Sequence, residues 1–131
     1  MRKKVNLAGL IAIFSAITYL SLAQLSTTGS TNSIGILALL FHLGAYFGLA
    51  AALSLYFHES KDRYLESVVI AILFGVIMEI GQTQVPGRAF SYIDIGLNSL
   101  GASAVLLDIK LGLVSELASL EERVIKLAFS N

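Results

Sequence analysis

Four long apolar runs, parted by short polar stretches, organise this chain. The first, "VNLAGLIAIFSAITYLSLA" (5–23), carries no charge. The second runs from about Ile34 to Phe57, the third from Ser67 to Val85 and the fourth from Tyr92 to Val114. Each is close to the roughly 20 residues that carry a helix across a bilayer. Nothing alternates with period two over repeated stretches, so a membrane barrel is not indicated. In lipid every backbone amide must be satisfied within its own segment, and that predicts helices. The fourth run is the least clean. It holds Asp94, Asn98, Asp108 and Lys110, so its hydrocarbon stretch is expected at Ile95 to Leu107, with the charges near the two interfaces.

The connections read as loops. "QLSTTGSTNS" (24–33) is uncharged and rich in Ser, Thr and Gly. "HESKDRYLE" (58–66) is a charged turn, and "PGRAFSYID" (86–94) joins the third run to the fourth. Beyond the fourth run, Leu113, Leu117, Leu120, Val124 and Leu127 recur at helical spacing, with Glu116, Glu121, Glu122, Arg123 and Lys126 on other faces. This predicts an amphipathic helix over about 115–129, lying on the inner membrane surface or forming a dimer contact. The expectation is an all-α, polytopic membrane protein of one domain, 1–131, with spans at about 5–23, 34–57, 67–85 and 92–114 and an amphipathic tail.

Composition agrees with that reading. The 131 residues are 56% hydrophobic and 14% charged, with a mean hydropathy of +0.78. A soluble domain carries about 25% charged residues. Net charge is zero, so no field favours nucleic acid and none is expected as a partner. The absence of cysteine excludes disulfides, thiolate catalysis and Cys-based zinc or iron–sulfur sites. "MRKK" followed by an apolar run ending in "SLA" at Ala23 has the outline of a secretory signal. The run is longer than a usual signal core, which favours its retention as a span.

Charge placement sets an orientation. Arg2, Lys3, Lys4, Lys61, Arg63, Lys110, Arg123 and Lys126 fall on one side of the four spans, and only Arg88 falls on the other. Cytoplasmic loops are enriched in Lys and Arg. Both termini are therefore expected in the cytoplasm, in a multi-pass protein of the cell membrane, with the Pro86-Gly87-Arg88 loop facing outward.

The segment "EIGQTQVPGRAFSYIDIGLN" (79–98) concentrates polarity amid hydrocarbon. On a helix, residues three or four apart share a face. Glu79 and Gln82 make one such pair, Asp94 and Asn98 a second, and His42 and Tyr46 a third on the second span. By the helical rise, His42 lies about 12 Å below Ile34 and Glu79 about 9 Å below Val85. Pro86 stops helical hydrogen bonding and Gly87 permits a tight turn, so Arg88 can fold back over the helix ends. One outward-facing cluster of His42, Tyr46, Glu79, Gln82, Arg88, Asp94 and Asn98 is the expected ligand-binding site. Bland roles compete at each position: an ion pair between Glu79 and Arg88, a helix cap at Asp94, interhelical hydrogen bonds at Gln82 and Asn98, a satisfied interior histidine at His42, and an orienting or belt role for Tyr46. Ser99, Gly101 and Ala102 read as a close-packing face.

These residues, in this order, resemble the VanZ-like membrane proteins. The matching elements are "HLGAY" (His42, Tyr46), "EIGQ" (Glu79, Gln82), "PGR" (86–88), Asp94 and "NSLG" (Asn98, Gly101). They lie within about 34–108. Relatives often carry an aspartate four residues before the histidine, where this chain has Ala38. If that aspartate pairs with the histidine, the site here is reduced. The resemblance implies a small polytopic membrane protein. The family's founding member is linked to low-level teicoplanin resistance, and the family name supplies no reaction.

Three function classes stand open. In the first, the cluster binds a cell-envelope precursor, a lipid-linked amphiphile or a glycopeptide, with Arg88 as an anion clamp. In the second, the protein is an enzyme on a lipid-linked substrate, with His42 or Glu79 as general base and Asp94 as orienter. Ser91 and Ser99 lack a nucleophile motif. A metal held by His42, Glu79 and Asp94 is conceivable in ligand type, but no metal or cofactor is expected. In the third, a homo-oligomer acts as a small transporter. Membrane lipids are partners in all three.

Overall fold

The structure is a computed structural model, and it describes residues 2–22, 31–107 and 113–128. It is all-helical over the described residues: α1 (Arg2–Leu22), α2 (Thr31–Tyr56), α3 (Arg63–Gln82), α4 (Tyr92–Ser103), a 3₁₀ turn (Ala104–Leu107) and α5 (Leu113–Ala128). α2 is the central element and packs on α1, α3 and α4. α2 and α3 are long and apolar enough to cross a membrane, while the apolar helical stretches Leu7–Leu22 and Tyr92–Leu107 are shorter.

Local chemistry explains the ends. α4 opens on Ser91, whose hydroxyl accepts the Asp94 N–H at 3.1 Å, so the cap is Ser91 and not Asp94. α3 stops at Gln82 and not at Val85. Gln84 and Val85 donate to Gly81 and Gln82 in i→i+3 turns, as the residue before a proline disfavours helical backbone. Gly87 then takes φ +81°, a left-handed conformation that suits glycine. The fourth run leaves α-helical geometry at Ala104. Its expected continuation through 108–112 lies outside the described residues.

The core holds Tyr46, Leu49, Ala50 and Leu53 of α2, Val68 and Ala71 of α3, Ala102 and Val105 after them, and Leu10 and Ile17 of α1. Phe14 meets Phe74 edge-on with centroids 4.7 Å apart, which ties α1 to α3. Gly101 lets α4 touch α2, since a Cβ there would collide with the Leu43 carbonyl oxygen.

α3 is inverted relative to a helix of a water-soluble domain. Its inward stripe is small or polar apart from Val68: Ser67, Ala71, Gly75, Glu79 and Gln82. Its outward stripe is Leu65, Val69, Leu73, Ile77 and Ile80, with Leu73 and Ile77 58% and 59% exposed. Polar residues inside and hydrocarbon outside is the arrangement that a lipid solvent favours.

Candidate functional site

Three helices deliver the cluster. His42 and Tyr46 come from α2, Gly75, Glu79 and Gln82 from α3, and Asp94 and Asn98 from α4. His42, Tyr46, Glu79, Gln82 and Asn98 are buried, Asp94 is partly exposed and Arg88 is exposed.

The centre is a hydrogen bond between His42 Nδ1 and Asn98 Oδ1 at 2.8 Å, spanning α2 and α4. An amide oxygen can only accept, so the contact places a proton on Nδ1. The other ring nitrogen, Nε2, faces Asp94 Oδ1 at 3.8 Å, beyond hydrogen-bond reach. The ring is thus held by one nitrogen, and its second nitrogen looks across a gap at a carboxylate.

Tyr46 packs beside this pair. A Cβ on Gly75 would sit 3.0 Å from Tyr46 Cε1 and 3.2 Å from Asn98 Nδ2, so Gly75 makes room for both side chains. The Tyr46 hydroxyl is buried without a hydrogen-bond partner among the described residues. Burial of an unpaired hydroxyl costs free energy, so this atom is available to a ligand or water.

Glu79 lies one turn beyond Gly75 on the same face and is 1% exposed. Its Oε2 accepts the backbone N–H of Ser91 at 2.9 Å. The expected ion pair with Arg88 does not form: among the described residues no ion pair or side-chain hydrogen bond engages the Arg88 guanidinium. The early end of α3 explains the change. Glu79 stands three residues, about 4.5 Å, from the helix terminus and meets the incoming backbone of α4 directly. Gln82 donates to the Ser21 carbonyl on α1 at 3.0 Å, away from the histidine. His42, Glu79 and Asp94 do not converge as a three-ligand metal cluster among the described residues. Ser91 serves as the cap, and Ser99 Oγ donates to the Ile95 carbonyl, so both hydroxyls are engaged locally.

An open apolar groove of about 630 Å³ lies between α2 and the α4–3₁₀ segment, and none of the cluster residues lines it. Leu43 and Gly44 of α2 and Leu100 and Gly101 of α4 border it. Phe47 and Leu107 lie further along it.

Compared with known families, residues 2–112 match the model described as VanZ/LLP1. The chain belongs to the VanZ/LLP1 family. A search of curated proteins and a search of solved structures each returned no match. The family match covers every element from α1 through the 3₁₀ turn and leaves α5 outside. In this VanZ/LLP1 chain Ala38 lies one turn before His42 on α2 and is exposed. It offers the ring no hydrogen bond, and the described partner of Nδ1 is Asn98.

Sequence reasoning missed Gly75 and the role of Ser91. The Ser91 signal was present in "SYID", whose Ser-x-x-Asp spacing is that of a capping box. Gly75 offered no signal, because its need arises from Tyr46 and Asn98 on two other helices.

Proposed function

We propose that this VanZ/LLP1 protein is a four-span membrane protein that binds a cell-envelope or lipid-linked amphiphile. The head group enters the His42–Asn98–Asp94 cluster, and the apolar α2–α4 groove on the same pair of helices is the surface offered to its chain. The observation that carries this reading is the buried polar centre itself, His42 held on Asn98 at 2.8 Å, Asp94 across a 3.8 Å gap and a buried Tyr46 hydroxyl without a partner among the described residues, on the same two helices that border an apolar groove. Of the ligands the sequence suggests, the groove favours a lipid-linked one.

Helix dimensions support the topology. The apolar stretch Leu7–Leu22 of α1 rises about 24 Å. α4 and its 3₁₀ extension together rise about 26 Å, close to a hydrocarbon core of about 30 Å. With Lys and Arg biased to the other side, the cluster belongs to the outer leaflet and both termini to the cytoplasm.

The test is mass spectrometry of amphiphiles that co-purify with the protein. The wild type should retain one, and His42→Ala and Asn98→Ala should each lose it while still folding. Retention by both folded variants would sink the reading. Teicoplanin susceptibility of cells expressing the chain or His42→Ala tests the family-derived link to glycopeptide resistance.

A second reading, acid–base catalysis, is favoured by one observation. Nδ1 is anchored and Nε2 faces Asp94 without a hydrogen bond among the described residues, as an oriented general base would. Under it, His42→Gln lowers turnover of a lipid-linked substrate about a hundredfold or more with affinity retained. Loss of affinity alone would return the site to binding.

A further inference from the structure

We infer that the head group taken by this site presents hydrogen-bond donors, hydroxyl or ammonium, and not a phosphate or other anion. This rests on the amphiphile reading and names the chemistry of its ligand. It reverses the expectation of an anion clamp at Arg88.

The site's free capacity is mostly acceptor. In the neutral ring, with Asn98 holding the proton on Nδ1, His42 Nε2 carries a lone pair. Asp94 Oδ1 stands across a 3.8 Å gap from it, and that carboxyl is partly exposed. A donor at the gap's mouth reaches both atoms, whereas an anion there meets a lone pair and a carboxylate. The Tyr46 hydroxyl points to a ligand independently. Tyr46 is 1% exposed, its hydroxyl has no partner among the described residues, and its ring lies, like the Asn98 amide, against Gly75. A hydroxyl on the ligand can satisfy it in either direction, and an ammonium can satisfy it by donating.

The features that would attract an anion are engaged or lie outside. The positive end of α4 is a natural anion site, but its Ser91 N–H is taken by Glu79 and its Asp94 N–H by the Ser91 hydroxyl, and the Tyr92 and Ile93 N–H groups belong to residues that are 82% and 76% exposed, outside the buried centre. Asp94 itself occupies the first turn. Arg88 sits in the exposed turn before α4 and makes no ion pair with Glu79 or Asp94. Among the described residues no lysine or arginine compensates the two carboxyl groups, and a phosphate would enter without one.

Native mass spectrometry of the full-length protein with three amphiphiles that share one chain tests this. Dodecyl glucoside carries hydroxyls, dodecylamine an ammonium and dodecyl phosphate an anion. The glucoside or the amine should bind at least about tenfold tighter than the phosphate, a difference of about 1.4 kcal/mol. Asp94→Asn separates the two donor sources: it should weaken the amine several-fold more than the glucoside if ammonium is preferred, and both modestly if hydroxyl is. Equal or tighter binding of the phosphate overturns the inference and leaves the amphiphile reading standing. Donor preference that persists unchanged in both Asp94→Asn and Tyr46→Phe also overturns it, since the preference then arises elsewhere. No binding of any of the three brings down the amphiphile reading and this inference together.

Discussion

Glu79 Oε2 accepts the Ser91 backbone N–H at 2.9 Å, joining the end of α3 to the first residue of the α4 cap. The carboxylate therefore acts as the structural end-stop of the α3–α4 turn. The cap hydroxyl of the same Ser91 holds Asp94, and Asp94 faces His42. A single chain of contacts thus runs from the turn to the imidazole.

Glutamine preserves an acceptor oxygen, so Glu79→Gln should cost under about 1 kcal/mol. Glu79→Leu strands the Ser91 N–H and should cost about 1–3 kcal/mol. Arg88→Ala removes an exposed side chain and should stay within about 0.5 kcal/mol. Thermal unfolding of the detergent-solubilised variants ranks them. A large loss in Arg88→Ala with none in Glu79→Leu would contradict the contact.

The glycines form a graded series. Gly101→Ala forces a Cβ into the Leu43 carbonyl, which is backbone and cannot rotate aside. It should destabilise by several kcal/mol or prevent α2 and α4 from closing; overpacking typically costs about 1–3 kcal/mol even where side chains can give way. Gly75→Ala meets the Tyr46 ring edge at 3.0 Å and should lie in that lower range. Gly96→Ala faces open space and should be neutral or stabilising by up to about 1 kcal/mol. Melting temperatures in one detergent check the order.

Ser91→Ala removes a helix cap worth about 0.5–2 kcal/mol. Ser91→Asp should restore most of the stability, since aspartate also caps. A Ser91→Ala protein with unchanged melting temperature would show that the hydroxyl contact with Asp94 carries no weight.

Orientation is open to direct labelling. A cysteine at Phe90 should react with an impermeant thiol reagent on intact cells, and one at Ser60 should not. The cysteine-free chain gives a silent background. The opposite pattern would place the polar cluster on the cytoplasmic face.

Much of the helical layout was legible because lipid leaves few choices for a backbone and punctuation is local. Pro86 and Gly87 announced the α3–α4 turn, and His42, Glu79 and Asn98 stood out as polar residues in hydrocarbon. The pairings were less legible. Gly75 is needed for reasons held on α2 and α4, and sequence spacing along α3 says nothing of them. Arg88 looked like Glu79's partner as the nearest cation, whereas the nearest donor in space is a backbone amide supplied by the turn itself. Gln82 shares Glu79's stripe yet reaches α1, because at the end of α3 the neighbouring element is no longer α2.

The spacing of the polar contacts along the chain has a consequence for synthesis. Gln82 finds its acceptor sixty-one residues earlier, at Ser21, already made when α3 emerges. Glu79 waits only twelve residues for Ser91. His42 waits fifty-six residues for Asn98. α2 thus leaves the ribosome with its imidazole unanswered while α1 and α3 can already assemble around it. α4 arrives as the keystone, bringing Ser91 to Glu79 and then Asn98 to His42, and a chain truncated before Asn98 should lack the bond that ties α2 to α4 and unfold more readily.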